Sequence, residues 1–302
     1  MFIVKNRIFF FAFTGLLTLI AIAALVFWTP RLSIDFTGGS LVEVTYSGAR
    51  PDIEALKTDT AALTFGEVSL RESGTNGITI RSRTLTPEEH SALLDTLSAH
   101  GAAPLTEDRF TSIGPSLGSE LSTKALYSLL AVIAAIVLYI AWAFRKVSRP
   151  VSSWVYGLNV IAILLHDILI PAGFFAILAH FTGAQIDTLF VVALLAILGY
   201  SVNDTIVIFD RVREHLGKNE KVGAHQPFDE VVGRSITETL GRSINTSLTV
   251  VLALLALAFF GSPVTVDFSI VLLAGVVAGT YSSILLAAPL LVPLAKVFAR
   301  HS

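Results

Sequence analysis

The chain contains no cysteine, which excludes disulfides, thiolate catalysis and cysteine-based metal sites. Charged residues are also scarce: they make up 15% of the chain, whereas hydrophobic residues make up 53% and the mean hydropathy is +0.73. A soluble domain carries about 25% charged residues. The net charge of −2 gives no general electrostatic attraction for nucleic acid. This composition indicates a membrane protein.

The apolar residues are concentrated in runs long enough to cross a bilayer, which takes about 20 residues. We predict six membrane-spanning helices with these bounds: Ile8–Trp28, Lys124–Phe144, Val151–Ala179, Thr188–Phe209, Ser243–Phe260 and Phe268–Val297. The first run is followed by Phe27-Trp28-Thr29-Pro30 instead of a cleavage site of small residues. We therefore interpret it as an uncleaved anchor and not as a signal peptide.

Lysine and arginine are absent from two short loops, His180–Asp187 and Gly261–Asp267. The flanks on the opposite side of the membrane hold the basic residues, namely Lys5, Arg7, Arg145, Lys146, Arg149, Arg211, Arg213, Lys218, Lys221, Arg234, Arg242, Lys296 and Arg300. Basic residues in short flanks mark the cytoplasmic side. We therefore predict that both termini are cytoplasmic and that residues 30–123 are extracytoplasmic, because long segments cross the membrane regardless of their charge.

Residues 30–123 have the composition of a small soluble domain, between the anchor of residues 1–29 and a five-helix membrane bundle of residues 124–302. Strand and helix patterns alternate along it, at Leu41–Tyr46, Pro51–Thr64, Val68–Leu70, Ile78–Ile80, Thr86–Glu89 and Leu105–Ser112. The order β-α-β-β-α-β predicts a ferredoxin-like α+β fold. No catalytic constellation is visible in this domain, so we predict a binding or docking role.

The fourth predicted span contains an acidic residue inside its apolar run. Asp204 lies in Leu189–Glu214, which reads LFVVALLAILGYSVNDTIVIFDRVRE. Apolar residues continue after it to Phe209, and the aqueous boundary follows at Asp210 and Arg211. An ionised carboxylate in hydrocarbon costs about 2.5–3.5 kcal/mol on insertion scales. Asp204 must therefore be neutral, paired or in contact with a water path, which points to transport, relay or coupling.

Polar and small residues interrupt two other spans. His166 and Asp167 lie in the third span, within VIAILLHDILIPAGFF. They could hold water for a functional role, or they could only fasten helices together by hydrogen bonds, and both interpretations stay open. In the last span, Gly275-x-x-x-Gly279 permits close helix packing.

An arginine stands where the fifth span begins. Arg242 and Asn245 are three residues apart and therefore share a helical face. An Asp204–Arg242 pair would let the carboxylate stay charged, and protonation would release the arginine, which makes a two-state element. The alternative is that Arg242 only reaches to the lipid headgroups as a positive-inside anchor.

The loop before the fifth span carries apolar residues at helical spacing behind Gln226-Pro227, namely Phe228, Val231, Val232, Ile236 and Leu240. This pattern predicts an amphipathic cytoplasmic helix near residues 227–241, which lies along the membrane before it turns into the fifth span. A partner-binding helix would show the same pattern.

Together these motifs resemble the SecF branch of the bacterial SecD/SecF protein-export family. The resemblance rests on Asp35-Phe36-Thr37-Gly38-Gly39 after the first span, on GYSVNDTIVIFDR (Gly199–Arg211) in the fourth, and on RSINTS (Arg242–Ser247) in the fifth. It covers nearly the whole chain. The first of these segments, which on chemistry alone is a glycine turn leaving the membrane, is then a family motif and candidate hinge. The lack of a larger second half suggests a separate SecF chain and not a fused SecDF.

This resemblance implies half of a twelve-helix unit related to the resistance-nodulation-division (RND) transporters. It implies a non-enzymatic accessory subunit of the Sec translocase in the bacterial cytoplasmic (inner) membrane, which acts with SecD and uses the proton-motive force to promote protein translocation and release. The implied partners are SecD as a heterodimer, the SecYEG channel, YajC, the translocating polypeptide and membrane lipid, without nucleic acid. Protons are the coupling ion, and no cofactor is implied.

The resemblance also assigns the proton relay to Asp204 and Arg242, with Asn203, Asp167 and His166 as further candidates. Protonation of Asp204 would break its pairing with Arg242, shift the helices and reorient the external domain. Two alternatives remain open: a self-contained proton-coupled small-molecule exporter, and a passive scaffold of the translocon. A membrane hydrolase is disfavoured because His-Glu-x-x-His does not occur.

Overall fold

The computed structural model describes residues 2–63, 65–66, 68–99, 101–145, 153–223, 226–261 and 263–298. In chain order its elements are α1 (Phe2–Lys5), α2 (Arg7–Phe27), α3 (Ile34–Thr37), β1 (Gly39–Tyr46), α4 (Ile53–Ala61), β2 (Ser69–Ser73), β3 (Gly77–Ser82), α5 (Pro87–Leu97), β4 (Leu105–Ile113), α6 (Pro115–Ala143), α7 (Ser153–Thr182), α8 (Thr188–Val222), α9 (Phe228–Phe260), α10 (Pro263–Ser282), a π-helix (Ser283–Ala287) and α11 (Ala288–Phe298). The chain divides into two compact units, Leu32–Leu126 and the remainder, Met1–Arg31 with Tyr127–Ser302.

Six helices among the described residues are long and apolar enough to cross a membrane, which confirms the predicted number. They are α2, α6, α7, α8, α9 and the continuous run from α10 through the π-helix to α11. The predicted start of the third span, Val151, lies outside the described residues. The 35 residues of α8 extend about 52 Å, so this helix is longer than the hydrocarbon core of about 30 Å.

The membrane unit is packed around α7, α8 and the α10–α11 run. Phe144, Tyr156 and Phe209 form a buried aromatic group, with ring centroids 5.1–6.0 Å apart. The two glycines of α10 face α8, and a Cβ on Gly275 would lie 2.1 Å from Ile197 Cδ1. The close approach predicted from the Gly-x-x-x-Gly spacing is therefore present between α10 and α8.

The predicted amphipathic helix near residues 227–241 is not a separate element. It is the first part of α9, which runs without a break from Phe228 to Phe260. Its buried residues Val231, Val232 and Ile236 pack with Val212 of α8 and with α11, inside the protein. The helical periodicity is present as predicted, but neighbouring helices cover the apolar stripe.

The unit Leu32–Leu126 contains a four-stranded antiparallel sheet with the strand order β2-β3-β1-β4. With α4 and α5 in the connections, this is the predicted ferredoxin-like arrangement. Alternate residues of the sheet, such as Val42, Val44 and Ile80, form the core with Leu56 of α4 and Leu93 of α5. From Val42 to Tyr46, β1 therefore alternates between buried residues on one face and more exposed residues on the other.

The start of α5 has the capping box that its sequence predicts. The Thr86 hydroxyl accepts a hydrogen bond from the Glu89 backbone amide, and the Glu89 carboxylate accepts one from the Thr86 amide. Arg83 also donates to Glu89, at 2.9 Å. The hydrogen bonds from Arg83 and Thr86 hold the pKa of Glu89 below its usual value, since they favour the charged form.

Candidate functional site

Buried polar side chains gather between the membrane helices. They come from α7 (His166, Asp167), α8 (Ser201, Asp204, Thr205), α9 (Ser243, Ser247), α10 (Ser282) and the π-helix (Ser283), and all are at most 7% exposed. We call these nine residues the polar cluster. Buried polar groups need hydrogen-bond partners, so the partner of each carboxylate oxygen decides what the cluster can do.

Both oxygens of Asp167 are occupied. Its Oδ1 lies 2.8 Å from His166 Nδ1, and its Oδ2 accepts hydrogen bonds from Ser201 and, at 3.0 Å, from Ser282. The other ring nitrogen of His166 lies 3.1 Å from the Tyr281 hydroxyl. Asp167 thereby ties α7 to α8 and α10, and a Tyr–His–Asp chain leads to it.

Asp204 is only half satisfied. Its Oδ1 accepts a hydrogen bond of 2.5 Å from the Ser243 hydroxyl of α9. Its Oδ2 is buried and has no hydrogen-bond partner. An unpaired buried carboxylate oxygen is uncommon and needs a physical explanation. It is the one carboxylate oxygen of the polar cluster that has no hydrogen-bond partner, which makes it the most open position for a proton.

The two carboxylates belong to one connected cluster. Ser201, which binds Asp167, and Asp204 are three residues apart on α8 and thus on neighbouring positions of one face. The next residue, Thr205, contacts Ser283 of the π-helix at 2.9 Å between the hydroxyl oxygens. Single π-turns inside α-helices are frequent at functional sites. A change at either carboxylate can therefore reach the same α8–α10 contact.

The predicted Asp204–Arg242 pair is not formed. Arg242 is exposed, and Ser243 makes the contact to Asp204 instead. Successive helical residues point about 100° apart, so α9 can direct only one of these neighbours at α8. Asn203 is likewise exposed, 100° away from Asp204. Of the five predicted relay residues, the structure brings His166, Asp167 and Asp204 into the polar cluster, and it leaves Asn203 and Arg242 on the surface.

Sequence reasoning missed the serines that bind the carboxylates. Ser201, Ser243 and Ser282 each donate a hydrogen bond to an aspartate in another helix. One signal was available for Ser201, since it lies three residues before Asp204 and so shares its buried side. Ser243 and Ser282 could not be chosen among the many hydroxyl residues of their helices without knowledge of how the helices pack.

The Asp35–Gly39 segment forms a packed turn within the unit Leu32–Leu126. Residues Ile34–Thr37 make the short helix α3, and Phe36 is buried. Gly38 and Gly39 follow with φ of +73° and +130°, values that other residues rarely adopt. A Cβ on Gly38 would lie 2.7 Å from Pro115 Cα, and a Cβ on Gly39 would lie 2.6 Å from the Ser82 carbonyl oxygen. The segment is therefore held against β3 and the start of α6.

No group of three or more His, Asp or Glu side chains within the described parts of the chain could hold a metal ion. The fold and the polar cluster together define a class of protein. It is a multi-pass membrane protein with carboxylates buried between its helices and a ferredoxin-like domain inserted between its first two spans.

Comparison with known proteins identifies the family. Residues 95–297 match the family "Protein export membrane protein SecD/SecF, C-terminal", and residues 29–49 match the "SecD/SecF GG Motif" family. The protein translocase subunit SecF of Thermobaculum terrenum is 37% identical over 96% of this chain and 92% of its own length. The SecF subunit of Anaerolinea thermophila is 35% identical over the same two shares.

Two solved structures of SecDF are also similar to this chain. The crystal structure of SecDF from Thermus thermophilus, described as a translocon-associated membrane protein, is 32% identical with a TM-score of 0.81. The match covers 97% of this chain and 38% of that one, so the chain spans about two fifths of SecDF. A second SecDF structure, in a super-membrane-facing form, has a TM-score of 0.67 over 98% of this chain and 39% of its own. The chain belongs to the SecD/SecF family of protein-export membrane proteins and has its RND-like fold.

Proposed function

We propose that this chain is a non-enzymatic accessory subunit of the Sec protein translocase, which works with a SecD partner and uses the proton-motive force to promote protein translocation and release. Support comes from relatives named as translocase SecF subunits and from the fold shared with SecDF. We place the chain in the bacterial inner membrane with both termini cytoplasmic. The SecYEG channel, the translocating polypeptide and YajC enter the proposal as partners on family resemblance alone.

The observation that carries the proposal is the unpaired Oδ2 atom of Asp204. In this proposal a proton adds to that oxygen and neutralises the carboxylate. The hydrogen bond from Ser243 to Oδ1 then weakens, because bonds to charged groups are worth about 1.5–3 kcal/mol and bonds to neutral groups about 1 kcal/mol. The α8–α9 contact is thereby loosened by protonation and restored by proton release.

The energy available fits such a step. One proton that moves through 100 mV supplies about 2.3 kcal/mol, which is comparable to the strength of one charge-assisted hydrogen bond. The connection from Asp204 through Thr205 to Ser283, and from Ser201 to Asp167, gives a route by which the change reaches α7 and α10. The sequence suggested Arg242 as the direct partner of Asp204. In this scheme Arg242 has a different role.

Arg242 and Asn203 belong to an exposed strip that we propose as the SecD-facing surface. Ser243 and Asp204 meet between α9 and α8, and as consecutive spans these helices are antiparallel. The residues just before them, Arg242 and Asn203, therefore fall on the same side of the pair. We call this strip the polar face; its exposed members are Gly199, Asn203, Arg242, Thr246 and Thr249. Polar and small residues inside a membrane favour contact with another helix over lipid.

Replacing Gly199 by tryptophan tests this surface. A Cβ on Gly199 would meet no atom within 4 Å, so the chain itself accommodates the change, whereas a helix packed closely on the polar face would not. We expect about tenfold less SecD to co-purify, which corresponds to about 1.4 kcal/mol. Gly15→Trp on α2 is the matched control, because Gly15 is also exposed and free of atoms within 4 Å. Equal recovery of SecD with both variants would contradict the assignment.

The function itself is tested by reconstitution. Vesicles that contain SecYEG and SecD are prepared with and without this chain, and export of a secretory protein is measured with and without a proton gradient. We expect the gradient to accelerate export only when this chain is present. Stimulation that is independent of the gradient would favour a passive scaffold, and proton-coupled efflux of a small molecule by this chain alone would favour an exporter.

A further inference from the structure

An apolar groove of about 460 Å³ lies along the outside of the membrane unit between α9, α10 and the short helix α1. Leu240, Ile244, Leu248 and Val251 of α9 form one wall. Val277 and Ile284 belong to the opposite wall, and Ile3 closes one end. Ile244, Leu248 and Val277 are each about half exposed, which shows that the groove opens sideways from the helices.

The groove has the length of one membrane leaflet. Leu240 and Val251 are eleven residues apart on α9, which corresponds to about 16 Å along the helix. Half of the hydrocarbon core is about 15 Å thick. Because α9 enters the membrane from the side rich in lysine and arginine, the groove occupies the leaflet on that side.

The surface of the groove suits hydrocarbon. Three hydroxyl residues line it, but their hydrogen bonds are made within the protein. The hydroxyl oxygens of Ser247 and Thr280 lie 2.7 Å apart, and the Tyr281 hydroxyl lies 3.1 Å from His166 Nε2. An occupant therefore meets an apolar surface whose polar atoms are already paired, so a ligand that needs hydrogen bonds finds no advantage there.

A partner helix fits the groove poorly. A helix with side chains is about 10 Å wide, so a 16 Å length of it fills roughly 1,200 Å³, well above the volume of the groove. The groove also faces away from the polar face, since Leu248 lies about 160° around α9 from Thr246. A partner that covers the polar face leaves the groove open to lipid.

Two basic residues lie close in sequence to the end of the groove near α1. Lys5 follows Ile3 by two residues and is exposed, and Arg7 comes next at the start of α2. Basic residues near the membrane surface attract anionic headgroups, at about 1 kcal/mol for each residue. We infer that the groove binds one acyl chain of an anionic phospholipid of this leaflet, with its headgroup held by Lys5 and Arg7. The inference does not depend on the proposed function.

The test uses the full chain, assembled with SecD in vesicles that contain phosphatidylglycerol with a photoreactive group in the middle of one acyl chain. After irradiation, labelled peptides are mapped. We expect label on the groove walls of α9 and α10. Leu248→Trp fills the groove and should reduce this labelling about tenfold, which corresponds to about 1.4 kcal/mol.

Leu252→Trp is the matched control. Leu252 is on the same helix and equally exposed, at 58% compared with 52% for Leu248, but it does not line the groove. Labelling should be unchanged in this variant. Val277→Trp fills the groove from the opposite wall and should reduce labelling as Leu248→Trp does. Loss of label in both variants would show that a local defect at Leu248 is not the cause.

Three further outcomes decide the identity of the occupant. Lys5→Gln combined with Arg7→Gln should remove the preference for phosphatidylglycerol over phosphatidylcholine while groove labelling by both lipids persists. Equal labelling in the Leu248 and Leu252 variants would overturn the inference, because it would mean ordinary contact with the bilayer. Protection of the groove by SecD, with lipid label only when SecD is absent, would overturn it as well.

Discussion

Asp204→Asn is expected to abolish the gradient-dependent part of protein export while the complex still assembles. Asparagine has nearly the size of aspartate and keeps a carbonyl oxygen that can accept the hydrogen bond from Ser243. It cannot take up a proton at the position of Oδ2. Export in vesicles with a proton gradient should therefore fall to the rate measured without one, and the rate without a gradient should be unchanged.

Two variants serve as controls for this result. Ser243→Ala keeps the acid but removes its donor, which is worth about 1.5–3 kcal/mol, so we expect reduced coupling and not its complete loss. Arg242→Ala should leave the hydrogen bond at Asp204 intact, because Arg242 is exposed and Ser243 contacts Asp204 in its place. Any loss of export in this variant should therefore accompany weaker binding of SecD at the polar face. If Asp204→Asn retains full gradient dependence, the coupling must lie at Asp167 or in SecD.

The location of the acids could be predicted from sequence because a carboxylate in an apolar run is costly wherever the helix packs. Asp204 and Asp167 are both buried, as their positions within the spans indicate. The partner of Asp204 could not be predicted, because neighbours on a helix differ by 100° and the rotation of α9 depends on packing. Charge favoured Arg242 over Ser243, and the geometry selects Ser243.

Larger elements show the same difference between features that local sequence predicts and features that depend on packing. The capping box at Thr86 and the order of strands and helices in the unit Leu32–Leu126 follow from local patterns, and both are present. The segment near residues 227–241 has an equally clear local pattern, yet its apolar face packs on α8 and α11. A periodic pattern in the sequence predicts that a helix face is buried, but it does not identify the element that packs on that face. The π-helix at Ser283–Ala287 depends on contacts between helices and has no sequence signal of its own.

The second large effect is expected at the glycine pair of the unit Leu32–Leu126, where Gly39→Ala should destabilise the sheet. Gly39 has a φ of +130°, and a Cβ there would lie 2.6 Å from the Ser82 carbonyl oxygen on β3. A residue forced into such a conformation costs about 1–3 kcal/mol, and the clash adds to this cost. Because Gly39 pairs with Ile113, both β1 and β4 should be affected.

Hydrogen exchange of the full chain measures this directly. A loss of about 3 kcal/mol should speed amide exchange in β1 and β4 by roughly 150-fold if exchange occurs through opening of the sheet. Gly48→Ala is the matched control, since Gly48 is exposed in the same unit, has no positive φ and would place its Cβ more than 4 Å from any other atom. Unchanged exchange in Gly39→Ala would mean that the turn yields without loss of the sheet. The Asp35–Gly39 segment would then act as a compliant hinge, whereas the expected result makes it a rigid joint between β1, β3 and the start of α6.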